Sequence, residues 1–129
     1  MAGRILVVSD DSQFRRAVDV ALSAQGHRVT VASGVSEALK AAKREPPHVL
    51  VTDSVINART DGMALARRLK RRLPSMRCLL VQDDPLTKAA GAGGCSEWVY
   101  LFKRPFSMVR FAAATDDALR RVARDSSPP

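Results

Sequence analysis

A doubly wound parallel α/β sandwich, one sheet with helices on both faces, is the fold class this 129-residue sequence predicts. Three observations lead there. Short apolar runs alternate with amphipathic stretches, and the alternation repeats five times. The apolar runs are continuous rather than every-other-residue, as in strands buried on both faces. The stretches between them are long enough to be right-handed helical crossovers joining parallel strands. The length allows one domain and hardly two.

Each element has its own reason. Residues 4–8, RILVV, form a short apolar strand that ends in Ser9, Asp10 and Asp11. Ser12 offers a helix cap. Phe14, Ala17, Val18, Ala21 and Leu22 then recur at helical spacing until Gly26 closes the turn. Residues 29–32 read as a second strand. Residues 36–44 read as a second helix with Ala38, Leu39 and Ala42 inward, stopped by Pro46 and Pro47. Residues 49–51 lead a third strand into Thr52 and Asp53, and 54–61 lack periodicity and read as a loop. Residues 62–73 form a third helix, with Leu65, Ala66, Leu69 and Leu73 on one face and Pro74 at its end. Residues 77–81 form a fourth strand running into Gln82, Asp83 and Asp84, and a fifth lies within 97–102. A last helix over 108–124 turns Phe111, Ala112, Thr115, Ala118, Leu119 and Val122 inward. Between the last two strands, PLTKAAGAGG at 85–94 is expected to be a short or irregular fourth helix. Glycine costs about 1 kcal/mol against alanine inside a helix, and three stand in four positions here.

Composition narrows the function classes. Hydrophobic residues are 46% of the chain, enough for a core, and no apolar run approaches the roughly 18 residues of a membrane span. The opening MAGRILVVSDDSQF meets two aspartates too soon for a signal peptide, so a cytoplasmic location without membrane insertion is expected. Cys78 and Cys95 form neither a disulfide framework nor a zinc spacing, and Cys78 in CLLV reads as a buried small hydrophobe. His27 and His48 stand apart and read as structural.

In a doubly wound sheet the functional crevice lies at the carboxyl ends of the strands. There the sequence offers Ser9, Asp10 and Asp11, then Asp53, then Gln82 and Asp83, then Lys103 and Arg104. Asp11 reads as a helix cap. Asp53 closes an apolar strand in mid-chain and reads as chemistry. Carboxylates with a cation suit Mg²⁺, which takes one or two carboxylates and keeps several waters. A carboxylate so placed can accept a phosphoryl group, the cations neutralising its equatorial oxygens.

RILVVSDDSQFRRAV, ASGVSEAL, PPHVLVTDSVINARTDGMALARRLK and YLFKRPFSM together resemble the receiver domain of bacterial two-component response regulators. The resemblance covers roughly residues 4–123. It implies a single-domain (βα)₅, flavodoxin-like sheet in the strand order 2-1-3-4-5. The receiver domain would occupy 1–124 and a disordered tail 125–129. Asp53 would be the phosphoacceptor. Asp10, Asp53 and the backbone carbonyl of Val55 would hold Mg²⁺, and Lys103 best matches the lysine that pairs with the phosphoryl group. The phosphodonor would be a sensor histidine kinase or phosphotransfer protein. The chain would be no enzyme beyond slow self-dephosphorylation, and its length suggests a stand-alone regulator signalling through contact with an unknown output protein.

Several positions depart from the family pattern. Ser9 replaces the first acidic residue, which predicts weaker Mg²⁺ binding. Gln82 stands at the switch position usually held by Ser or Thr. Asn57 replaces a proline, one extra residue precedes Asp61 and Gly62, and Arg104 interrupts the Lys-Pro dipeptide. Counting from Tyr100 makes Lys103 the phosphoryl partner, whereas counting back from Pro105 makes it Arg104. A third register takes Trp98 as the strand aromatic with a longer loop. These departures support an alternative, a phosphorylation-independent pseudo-receiver that serves as an interaction module.

The net charge of +8 is unexpected in such a domain. Arg67, Arg68, Lys70, Arg71 and Arg72, with Arg77 beyond, form the densest basic cluster. Arg120, Arg121 and Arg124 form another, and Lys40, Lys43 and Arg44 a third. They read as solvated helix faces or as a footprint for an acidic partner, and a basic scaffold or nucleic-acid-associated protein is a third hypothesis. Sequence-specific DNA binding is not expected, because no recognition-helix motif or interleaved aromatic is present.

Overall fold

The computed structural model describes residues 3–56, 60–82 and 98–126. Five parallel strands form the main sheet: β1 (Arg4–Val8), β2 (Arg28–Ala32), β3 (Val49–Asp53), β6 (Arg77–Gln82) and β7 (Val99–Lys103). Their order across the sheet is β2-β1-β3-β6-β7, which is 2-1-3-4-5 when these five are counted alone. Two short strands, β4 (Val55–Ile56) and β5 (Thr60–Asp61), pair antiparallel just past β3. That hairpin corrects the expected structureless loop. Val55 opposite Asp61 and Ile56 opposite Thr60 fold the segment back on itself, and the Ile56 side chain is buried.

Helices α1 (Ser12–Ser23), α2 (Val35–Arg44), α3 (Gly62–Arg72) and α4 (Met108–Ser126) cover the sheet. Helix α1 begins at Asp11, whose carboxylate accepts the backbone N–H groups of Gln13 and Phe14. Its turn is completed by Gly26 at φ +88°, a left-handed conformation open to glycine. Helix α3 begins at Asp61, which accepts the Met63 N–H.

Two apolar layers lie on opposite faces of the sheet. Val18 and Leu22 of α1 pack with Phe111, Ala118 and Leu119 of α4 against Ile5, Val7, Val49, Val51, Leu79 and Val81. The other layer sets Ala38, Ala41 and Ala42 of α2 with Leu65 and Leu69 of α3 against Leu6, Val8, Leu50, Cys78 and Leu80. Every strand therefore sends alternate residues to alternate layers. All six residues expected inward on the last helix are buried. Ala17 is the exception on α1, exposed at the edge of its apolar face.

The remaining structural expectations sort simply. Cys78 is fully buried, which pushes its thiol up to about 12 and leaves it a packing residue. His27 is held between the Gly3 N–H and Asp116, and His48 accepts the Arg4 N–H at 3.0 Å. Helix α4 continues to Ser126, past the position where a tail was expected, because Asp125 accepts a bond from Arg77 at 2.9 Å. Arg77 is thereby a buried, ion-paired side chain rather than part of a basic surface. The expected irregular fourth helix at 85–94 and the end of the tail at 127–129 lie outside the described residues, as do Asn57, Asp83 and Cys95. No helix among the described residues is long and apolar enough to cross a membrane.

Candidate functional site

Strands β1 and β3 are neighbours with Val8 opposite Thr52, so Ser9 and Asp53 are the next residues out along both strands. The two side chains meet: the Ser9 hydroxyl donates to Asp53 Oδ2 at 2.5 Å. Ser9 is itself fixed, its Oγ accepting the Asp11 N–H and its carbonyl accepting from Arg15 Nη1. Arg104 approaches from the other side. Its Nη2 donates to Asp53 Oδ1 at 3.0 Å, and its Nη1 lies 3.6 Å from Asp11 Oδ2. The guanidinium lies over the Phe14 ring, 4.3 Å from its centroid, and Phe14 meets Phe106 edge-on. Asp53 is only 7% exposed. A carboxylate at that depth needs pairing to stay ionised, and Arg104 and Ser9 supply it.

Strand alternation explains who meets whom. Val49 and Val51 face α1 and α4, and Asp53 continues that series. Ile5 and Val7 do the same on β1, and Ser9 follows them. On β7, Tyr100 and Phe102 face α1 and α4, and Arg104 follows, one residue past the strand. Lys103 belongs to the other series, with Leu101, and its side chain is exposed. Arg104, immediately before a cis Pro105, contacts Asp53 in place of the expected Lys103, whose backbone sits opposite Gln82 in the ladder.

Gln82 follows Cys78 and Leu80 in alternation and is 2% exposed. Its backbone carbonyl accepts the Arg104 N–H at 2.9 Å, which ties the end of β6 to the site. Its side-chain Nε2 is buried with no hydrogen-bond partner among the described residues. A buried unsatisfied donor costs about 1–3 kcal/mol. Gln82→Met is therefore expected to raise stability by about 1 kcal/mol, seen as a higher midpoint in urea; a loss of stability would show that the amide is satisfied in solution.

The other expected ligands are placed more loosely. Asp10 is exposed at the end of β1 and lines an open hollow of about 700 Å³ at the start of α2, beside Arg15, Ser33 and Lys40. Val55, two residues past Asp53, is half exposed in the β4–β5 hairpin. No three acidic, His or Cys side chains converge among the described residues. Mg²⁺ asks for less than that, one or two carboxylates with water completing the shell. The hard oxygens of Asp53 and Asp10 with the Val55 carbonyl fit that demand as a donor set.

Gly62 holds Asp53 in place and was not singled out by its position at a helix start. Its N–H donates to the Ser54 carbonyl at 2.8 Å, and a Cβ on it would overlap the Asp53 carbonyl oxygen. A glycine opening a helix after an Asp cap is the only trace of this in the sequence. The arrangement as a whole presents a buried carboxylate with a guanidinium on one oxygen and a hydroxyl on the other. An electrophile attacked by that carboxylate would find its developing negative charge already faced by Arg104.

Comparison with known proteins agrees with this geometry. The family model for the response regulator receiver domain matches residues 5–115. The chain is 32% identical to the transcriptional activator protein PfeR of Pseudomonas aeruginosa over 133 aligned residues, covering 97% of this chain and 40% of that protein. It is 31% identical to the response regulator MprA of Mycobacterium leprae, covering 96% of this chain and 54% of that one. The chain thus spans about half the length of these curated relatives. Among solved structures, NtrX from Brucella abortus in complex with ADP superposes with a TM-score of 0.85 at 27% identity, over 97% of this chain and 29% of that one. The isolated receiver domain of NtrX superposes with a TM-score of 0.79, over 90% of this chain and 98% of that one.

Proposed function

The chain belongs to the response regulator receiver domain family, and from that membership we propose that it accepts a phosphoryl group on Asp53 and signals through protein–protein contact. The donor is a phosphohistidine of a sensor kinase or phosphotransfer protein in the cytoplasm. An Asp53 carboxylate oxygen attacks phosphorus, the P–O bond forms, and the P–N bond breaks. The bonding pair stays on the imidazole nitrogen, which takes up a proton. Bound through Asp53, Asp10 and the Val55 carbonyl, Mg²⁺ would supply charge neutralisation for the phosphoryl oxygens. The chain's own residues do the rest. Arg104 offers a fork of fixed donors to a phosphoryl oxygen, stronger in geometry than a lysine's point charge. Ser9 holds the acceptor's second oxygen, and Phe14 limits the swing of the guanidinium. Turnover beyond slow self-dephosphorylation forms no part of this reading.

One observation supports it most: a nine-tenths buried carboxylate at the end of the central strand, paired to a cation. The same pairing also favours a second reading, an interaction module that is never phosphorylated. Asp53 already has both oxygens hydrogen-bonded, one acidic position is Ser9, and the switch hydroxyl is replaced by Gln82. Loading with Mg²⁺ and a small phosphodonor separates the two, because the module forms no adduct on Asp53. Among the cations, Arg104→Ala is expected to slow adduct formation about a hundredfold, the scale of losing one preorganised oxyanion donor. Lys103→Ala should leave the rate within about twofold, since an exposed charge is largely screened by solvent. Equal losses in both variants would mean that Lys103 swings into the loaded site.

A further inference from the structure

We infer that the cleft between α2 and α3 binds an acidic amphipathic helix of a partner protein. The cleft encloses about 390 Å³. Its floor is apolar, made by Leu39 and Ala42 of α2 and by Leu69 and Leu73 at the end of α3. Its two banks are basic: Lys40 and Lys43 on one, Arg68 and Arg72 on the other. Each bank carries its two cations one helical turn apart, about 4.5 Å along α2 and about 6 Å along α3.

Several basic groups of the chain are already engaged. Arg28, Arg77, Arg104, Arg120 and Arg121 all stand in ion pairs, and Lys70 donates to the Met76 carbonyl. Lys40, Lys43, Arg68 and Arg72 are exposed and have neither ion pair nor hydrogen bond among the described residues. The acids of α2 and its cap are committed elsewhere, Glu37 to Ser33 and Glu45 to Arg28. Among the described residues, no acidic side chain lines the cleft, so its charge is open to a complementary partner.

The shape selects the kind of molecule. A polyanion alone would be served by a flat basic face, with no use for the leucine floor. A helix with an apolar ridge and carboxylates on both flanks, repeating every turn, satisfies floor and banks together. None of the cleft's lining residues is Asp53 or one of its bonded partners, Ser9 and Arg104, so the inference does not rest on phosphorylation there.

The test uses the full chain with methyl-labelled leucines. The probe is a synthetic peptide of about 18 residues, long enough to hold a helix, with a leucine ridge flanked by glutamates. A scrambled peptide of the same composition and a short DNA duplex are the controls. The helical peptide is expected to shift the methyls of Leu39, Leu69 and Leu73 and to bind at least about tenfold tighter than the scrambled one. Lys43→Glu with Arg72→Glu should weaken it by at least about tenfold, at an unchanged melting temperature. The neutral pair Lys43→Gln with Arg72→Gln should fall between, and it serves should the reversed pair fold poorly. Binding of the scrambled peptide or the duplex as tight as that of the helix would mean a plain polyanion surface and overturn the inference. Absence of binding at low salt, or shifts confined to other methyls, would overturn it too.

Discussion

Asp53→Asn is expected to abolish phosphoryl loading outright. With Mg²⁺ and a small phosphodonor, intact-mass measurement should show a single phosphoryl adduct on the wild-type chain and none on the variant. The amide is nearly the same size as the carboxylate; its Oδ1 can still accept from Arg104 while its Nδ2 donates to the Ser9 hydroxyl oxygen, so the fold should survive. What it lacks is the nucleophilic oxygen. A phosphoryl group adds about −1.5 to −2 charge at this point, and Arg104 is the side chain positioned to meet it. The wild type is expected to load slowly, because its acceptor oxygens begin in hydrogen bonds and Ser9 stands where an acid would help hold Mg²⁺. Ser9→Asp should then strengthen Mg²⁺ binding about tenfold or more, the scale of changes beside a metal's ligands. An adduct that persists in Asp53→Asn would remove Asp53 as the acceptor. No adduct on the wild type at millimolar Mg²⁺ would leave the interaction module as the reading.

The second large effect is structural. Gly62→Ala is expected to destabilise the domain by about 3 kcal/mol or more, above the usual range for overpacking, because the clash is with backbone. A Cβ at this position would overlap the Asp53 carbonyl oxygen and crowd Thr52 Oγ1, and the carbonyl, being backbone, cannot rotate away. The Gly62 N–H to Ser54 carbonyl bond ties the two segments together, so the strain would pass to β3. A melting temperature lower by roughly 10 °C is the corresponding shift for a domain of this size. Melting within a few degrees of wild type, with Asp53 still loading at the normal rate, would show that β3 and α3 separate easily. Space is the constraint at this glycine, in contrast to Gly26, whose constraint is its positive φ.

The basic surface divides along lines that charge counting could not reveal. Arg120 and Arg121 of α4 face Asp117, which accepts from Arg121 at 2.9 Å and lies 3.7 Å from Arg120. Arg77 is buried against Asp125. Lys40, Lys43, Arg68 and Arg72 have no such partner among the described residues, and they line the α2–α3 cleft with its apolar floor. In sequence, all three clusters looked alike.

Much of the fold follows from the sequence alone, since period and burial are linked. Helical spacing identified the buried residues of the last helix, and the glycine and proline stops bounded the first three. Continuous apolar runs announced a sheet covered on both sides, and the order of strands followed from the family resemblance. Asp53 stood out because an acid closing a mid-chain apolar strand has few structural uses. Asp11 was legible as a cap because it directly precedes a helical pattern. The choice between Lys103 and Arg104 was a different matter, and so was the meaning of Ser9. In a strand buried on both faces the every-other-residue signal vanishes, since both sets are apolar, and one residue of register moves every side chain to the opposite layer. Only the packed sheet shows that Ser9, Asp53 and Arg104 share the layer of α1 and α4 while Lys103 and Gln82 belong to the other. The sequence by itself determined the architecture and singled out Asp53. The cation that meets Asp53, the glycine that leaves it room and the basic banks of the α2–α3 cleft depend on contacts between residues far apart in the chain, and tertiary structure alone decided them.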